Sequence, residues 1–225
     1  QDMQHIERWC DALVARAEKP GAHWVYYEDD RRRAGGRVLS RIENFCPFHA
    51  EFASLLQTPW VMDSVQCLFG EPAVLFKDKI NFKVPGSDGF EPHQDVQAGW
   101  DRYADLHITM LVSVDAATAH NGCLEIAPGW HNRGLLGEQW KPLGDRVPAR
   151  EYVACPTQPG DVVFFDSFAP HRSAANLTDE PRRVLYLTYN ALSAGDQRER
   201  YYQDKHASFP PDIERIEGHQ YSYRV

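Results

Sequence analysis

Three residues of this sequence have the types and placement to share one metal ion: His93 and Asp95, two apart in Glu91-Pro92-His93-Gln94-Asp95, and His171 in Pro170-His171-Arg172-Ser173. On an extended strand, residues two apart leave the same face, so His93 and Asp95 are expected to grip one ion with His171 as third ligand. Two imidazoles and one carboxylate occupy one face of a metal. The opposite face stays open for a bidentate co-substrate and dioxygen, the facial-triad arrangement of non-haem Fe(II) chemistry.

A co-substrate such as 2-oxoglutarate needs a fixed cation for its distal carboxylate, and a guanidinium supplies two parallel hydrogen bonds. Pro181-Arg182-Arg183 opens the apolar run Val184 to Tyr189, and Arg182 lies eleven residues after His171. Neighbouring strand residues face opposite sides, so one of Arg182 and Arg183 points inward, and alternation alone does not say which. Upstream, Val74 to Lys83 changes to period 2: Lys77, Lys79, Asn81 and Lys83 alternate with apolar residues such as Ile80 and Phe82. The polar face is either a lysine-bearing edge that discourages aggregation or the mouth of a barrel, with Lys79 and Asn81 available to co-substrate or substrate.

The His-x-Asp, the distal His171, Ser173 two residues on and Arg182 eleven on resemble the phytanoyl-CoA dioxygenase family of Fe(II)/2-oxoglutarate oxygenases. Asn121-Gly122-Cys123-Leu124, Pro128-Gly129-Trp130-His131 and the strand Val74 to Phe82 match as well, so the resemblance runs from about Gly70 to Asn190. It implies that His93, Asp95 and His171 hold Fe(II) and form the catalytic centre. By the same resemblance Arg182, not Arg183, takes the distal carboxylate of 2-oxoglutarate together with Ser173, and Asn81 and Lys79 add co-substrate contacts. O2 is the second co-substrate, and the products are succinate, CO2 and a hydroxylated carbon. Asp95 speaks against a halogenase, which needs that ligand position free for chloride.

Within the family, Phe76 to Lys83 with His93-Gln94-Asp95 and Gln97-Ala98-Gly99-Trp100 is similar to the bacterial branch that includes the aminoalkylphosphonate hydroxylases. The implied reaction places a hydroxyl on the carbon next to phosphorus of 2-aminoethylphosphonate or an N-methylated analogue. Lys77, Gln97, Trp100, Arg102 and Tyr103 are the candidate substrate residues, with Arg172 a further donor for the phosphonate and Asp101 a partner for an ammonium end. Trp100 and Tyr103 read equally well as packing aromatics. The alternatives are a hydroxylase of an amino acid, an ectoine-like solute or a natural product, and a non-catalytic jelly-roll binding protein.

The elements that must position these residues follow from periodicity. Met3 to Ala17 reads as an amphipathic helix, Trp24 to Tyr27 as a short aromatic strand, and Val38 to Phe45 has apolar residues at three-residue spacing. A second helix is expected over Pro47 to Gln57 and a third after the Thr58 N-cap, closed by Gly70. Strands are expected at Leu106 to Val114, Gly122 to Ile126, Tyr152 to Val153, Gly160 to Asp166 and Arg183 to Asn190. Many strands after a helical layer predict a mainly β fold with N-terminal helices: a double-stranded β-helix, that is, a jelly-roll, cupin-like barrel. One domain is expected over 1–225, with 1–70 a helical buttress, 71–190 the jelly-roll core and 191–225 a polar loop and tail, either a lid or a dimer contact in a homo-oligomer. His107 and the other histidines read as surface or hydrogen-bonded groups, and Trp130-His131 stays a candidate because it follows a family segment.

The chain has 225 residues, 43% of them hydrophobic, enough to fill a single core. Its net charge of −8 disfavours nucleic acid and anionic membrane as partners and leaves a small-molecule substrate. Five cysteines without paired spacing suit a reducing cytoplasm, with Cys10 and Cys67 expected in buried helix positions. No apolar run approaches the ~20 residues of a membrane span. The sequence begins at Gln1, so residues upstream may be missing.

Overall fold

The structure, a computed structural model, describes residues 2–221; Gln1 and residues 222–225, the end of the expected tail, lie outside the described residues. The period-2 run becomes an 11-residue strand, β3 (Ala73–Lys83), paired on one side with β2 (Arg37–Glu43) and on the other with β10 (Arg182–Ala191). With β1 (Trp24–Asp29), β5 (His107–Ser113) and β8 (Val162–Asp166) they form an antiparallel sheet in the order β1-β2-β3-β10-β5-β8. A second sheet has the order β4-β9-β6-β7, from β4 (Phe90–His93), β9 (His171–Ser173), β6 (Leu124–Ile126) and β7 (Val153–Cys155). Leu111, Phe165 and Val184 of the large sheet pack against Leu124 of the small one. Two antiparallel sheets sharing an interior form the jelly-roll that the strand count predicts.

The two faces of the large sheet have different jobs. Ile80 and Phe82 of β3, Met110 and Val112 of β5, and Leu185 and Leu187 of β10 form one apolar layer with Ile6 and Leu13 of α1 (Asp2–Ala15), Phe52 of α2 (Ala50–Leu55) and Val61 and Val65 of α3 (Pro59–Phe69). The opposite face carries Lys77, Lys79, Asn81 and Lys83, so strand alternation sends half of β3 to the helices and half to the barrel interior. A register irregularity between β3 and β10 leaves Phe76 opposite no residue; Leu75 stays with the helical layer while Phe76 joins an aromatic cluster at the other side.

Several expectations are corrected. Residues 1–70 are helices plus two strands: β1 and β2 extend the large sheet, the three-residue spacing of Leu39 and Ile42 arises from a register irregularity that skips Ser40 between the two strands, and Phe45 lies beyond the end of β2. Thr58 occupies the N-cap position of α3, but its hydroxyl donates to the Leu55 carbonyl (2.8 Å) and caps nothing, whereas Gly70 closes the helix with φ 73° as expected. Cys67 is exposed, and all five cysteines are free. The expected polar loop after Gly195 contains a helix, α4 (Arg198–Ser208), whose Tyr201, Tyr202 and Lys205 are buried. No described helix is long and apolar enough to cross a membrane.

Candidate active site

His93 ends β4 and His171 begins β9, and the two are direct cross-strand partners with ring centroids 4.2 Å apart. Asp95 is not on the strand: it opens a single 3-10 turn, and that turn, rather than strand alternation, swings its carboxylate to 4.0 Å from His171 Nε2. One ligand atom from each of the three lies within 4.8 Å of the others. His93 Nδ1 is 2.7 Å from the Glu91 carbonyl and His171 Nδ1 is 2.9 Å from that of Ala169. A carbonyl only accepts, so both Nδ1 atoms carry the proton and both Nε2 lone pairs are left for a metal. Burial, and then His171, lowers the His93 pKa to about 3. Burial alone would raise Asp95, but His171 and His93 outweigh it and the net shift is downward. A neutral His93 and an ionised Asp95 carboxylate are the protonation states a divalent cation needs.

The turn is held by glutamines. Gln97 Oε1 accepts from the Gln94 amide (2.9 Å), while its Nε2 donates to the carbonyls of Glu138 (2.8 Å) and Lys141 (2.6 Å). Gln94 Nε2 reaches the carbonyls of Gly134 (2.9 Å) and Phe168 (2.6 Å), and its Oε1 accepts from the Leu136 amide (2.8 Å). Gln97, expected to touch substrate, is thus fully occupied in pinning the loop 134–141 across the turn that carries Asp95.

At one end of the barrel interior, Arg182 is 1% exposed, and its Nη2 donates to the Gly122 carbonyl at 2.8 Å while its Nε has no partner among the described residues. Arg183 points the other way, to Asp115 (2.8 Å) and Asp11 (2.8 Å), which settles the alternation in favour of Arg182 facing inward. Lys83 lies opposite Arg182 in register and donates to Ser173 Oγ (2.7 Å) and to the Ala174 carbonyl. Burial, and then Arg182, lowers the Lys83 pKa to about 7. Gly122 lets these groups meet: at φ 76°, a Cβ there would stand 2.1 Å from the Ala174 carbonyl and 2.9 Å from Lys83 Nζ. Lys83 was legible as part of the alternating polar face, yet only Lys77, Lys79 and Asn81 were drawn from it as site residues.

Toward the middle, Lys79 lies opposite Tyr186, its ammonium 4.6 Å from the ring centroid, and burial followed by Lys77 lowers its pKa to about 7. Asn81 is 4% exposed with its Oδ1 unpartnered among the described residues. At the far end, Lys77 stands 5.6 Å from the Trp100 ring and 3.7 Å from Glu43 Oε1, a carboxylate also held by Arg41 (2.8 Å) and Lys205. Trp100 is buried in a cluster with Phe76, Tyr103, Tyr201 and Tyr202, and its indole N–H has no partner among the described residues.

Other expected substrate residues belong elsewhere. Tyr103 is scaffold: its hydroxyl donates to Asp204 (2.7 Å) and its ring packs on Phe76 (5.5 Å) and Tyr201 (5.7 Å). Arg102 is exposed, against Gly99 and Trp140. Arg172 is bound by Glu125 (2.7 Å) over the Tyr152 ring, and Asp101 receives Gln139 (3.0 Å). His131 is not among the converging donors. His107, expected at the surface or hydrogen-bonded, is 1% exposed with neither ring nitrogen partnered among the described residues, and burial lowers its pKa to about 4.

Comparison with known proteins agrees with this geometry. The family model "Phytanoyl-CoA dioxygenase (PhyH)" matches residues 1–184. A 2-aminoethylphosphonate dioxygenase from an uncultured bacterium is 42% identical over 224 residues, covering 97% of this chain and 84% of that one. A methylphosphonate hydroxylase from Gimesia maris is 41% identical over 210 residues, covering 92% and 79%. Among solved structures, EctD from S. alaskensis with bound Fe has a TM-score of 0.69 at 22% identity, over 85% of this chain and 69% of that one, which supports the fold. The chain is a dioxygenase, and it belongs to the phytanoyl-CoA dioxygenase family.

Proposed function

We propose that this dioxygenase hydroxylates the carbon next to phosphorus of a small phosphonate, with His93, Asp95 and His171 as Fe(II) ligands. One observation carries the substrate class: the inward face of β3 presents Lys77, Lys79, Asn81 and Lys83 beside the triad in a chain whose net charge is −8. A cationic wall inside an acidic protein suits a multiply charged small anion and disfavours nucleic acid. The relatives that act on 2-aminoethylphosphonate and methylphosphonate, by their names, support the same class.

The donor set fits iron: two Nε2 atoms oriented by backbone carbonyls and one ionised carboxylate, with Asn81 Oδ1 and Arg182 Nε, unpartnered among the described residues, farther along the same interior. Bound iron would let O2 act as the oxidant: 2-oxoglutarate would give up two electrons as it is converted to succinate and CO2, the substrate C–H bond would give up the other two, and one oxygen atom would go to succinate and one to the new hydroxyl. Arg182, Ser173 and Lys83 are assigned to the distal carboxylate of 2-oxoglutarate, and Asn81 and Lys79 to the space between it and the metal. Lys79, bordered by Asp95 and Lys77, neutralises anionic charge brought next to the triad.

The test is succinate formation by Fe(II)-loaded protein with 2-oxoglutarate and, in parallel, methylphosphonate, 2-aminoethylphosphonate or ectoine. Succinate matched by a phosphonate product one oxygen heavier is the expected result. Coupling to ectoine alone would keep the reaction and discard the substrate class.

A further inference from the structure

His107 begins β5 on the strand face that looks into the barrel, opposite Asn190 of β10. Its backbone is tied to the metal-binding turn: its carbonyl accepts from the Ser167 amide (2.8 Å), and the Ser167 carbonyl accepts from the Val96 amide (3.0 Å). Its ring lies 4.4 Å from Phe76 and 5.3 Å from Trp100. Neither ring nitrogen meets a partner among the described residues, and the same is true of the Trp100 indole N–H, although both side chains are buried, at 1% and 3% exposure. Buried polar atoms are nearly always hydrogen-bonded, because leaving them unmet costs the desolvation they underwent. Two such side chains in contact, where apolar rings would pack equally well, mark a place built for a ligand. That ligand is not the distal carboxylate of 2-oxoglutarate, since Arg182 and Lys83 sit at the other end of β10 and β3.

We infer that His107 and Trp100 bind the phosphonate head group and set its position relative to the metal. The indole N–H and one imidazole N–H donate to phosphonate oxygens. The inference rests on the phosphonate reading above and adds the residues that would recognise the head group.

Steady-state succinate formation with methylphosphonate is compared for the wild type, His107→Phe, His107→Gln and Trp100→Phe. In His107→Phe the KM for methylphosphonate is expected to rise about tenfold or more while that for 2-oxoglutarate is unchanged, and His107→Gln, which keeps a donor and an acceptor, recovers part of the loss. Thermal melting separates this from a packing role. Replacing an unmet polar ring by Phe should leave the ligand-free protein as stable or more stable, and the melting shift induced by methylphosphonate should shrink.

A His107→Phe enzyme with the wild-type KM would overturn the inference, as would a loss of stability in both His107 variants without a change in KM. If His107→Phe does not fold, Trp100→Phe carries the test: a raised methylphosphonate KM supports the inference and a wild-type value overturns it. No succinate from the wild type with any phosphonate would overturn the substrate reading itself, an outcome distinct from a wild type that turns over and a variant that matches it.

Discussion

The two ends of the barrel interior differ in how far their polar groups satisfy one another. At the Arg182 end, Arg182 Nη2 is held by the Gly122 carbonyl and Lys83 by Ser173 and Ala174, and Arg182 Nε alone of these cationic donors is without a partner among the described residues, so the pocket we assign to a carboxylate is largely preassembled. At the Trp100 end, β3, β5, the segment after Asp95 and α4 meet around rings, and the imidazole of His107 and the indole N–H of Trp100 are left unmet among the described residues. A co-substrate shared by a whole family can be recognised by a set of groups that largely hold one another in place. A substrate that varies from one family member to the next is met by groups from separate elements, whose hydrogen bonds wait for the ligand.

Breaking the preassembled end should have the largest effect. Arg182→Leu removes the buried guanidinium and is expected to raise the KM for 2-oxoglutarate by roughly a hundredfold or more, because a carboxylate would lose two charge-assisted hydrogen bonds. Isothermal titration of 2-oxoglutarate checks this; unchanged affinity would dissolve the contrast between the ends.

A smaller effect is expected of Lys83. Its pKa is lowered from 10.5 to about 7, so above that pH the folded protein loses the charge while the unfolded chain keeps it. The folded state then binds fewer protons than the unfolded one between pH 7 and 10.5, and the burial cost of the charge is relieved as pH rises. Binding of a carboxylate favours the charged form, so 2-oxoglutarate affinity should fall as pH rises through about 7, and Lys83→Met should flatten that dependence. A pH series of titrations on the two proteins shows whether it does.

The smallest effect is expected where the sequence suggested substrate and the structure shows scaffold. Gln97→Ala deletes three hydrogen bonds and leaves carbonyls unmet, and should lower stability by about 2 kcal/mol while changing the KM for phosphonate little. Thermal melting alongside kinetics reads both.

How much of this was legible follows from where each signal resides. The triad, Ser173 and Arg182 lie in short segments with fixed spacing, and the alternation of β3 exposed its cationic face. Asp95 converges with the two histidines, but not by strand alternation, because the strand stops at His93 and a glutamine-capped turn takes over. Arg183 could not be separated from Arg182 by alternation, since its partners Asp11 and Asp115 are remote in sequence. The helix α4 escaped because its buried residues are two tyrosines and a lysine that meets Glu43, with no aliphatic stripe to announce it. His107 was misread for a related reason: nothing in a strand-initial histidine tells that its surroundings are Phe76 and Trp100 rather than water.

The central claim is tested most directly by anaerobically prepared Fe(II) protein given 2-oxoglutarate and methylphosphonate, with O2 then admitted and both products counted. Succinate and hydroxymethylphosphonate formed in equal amounts are predicted. Protein that retains iron but forms no succinate above the substrate-free level with methylphosphonate or 2-aminoethylphosphonate would contradict the account.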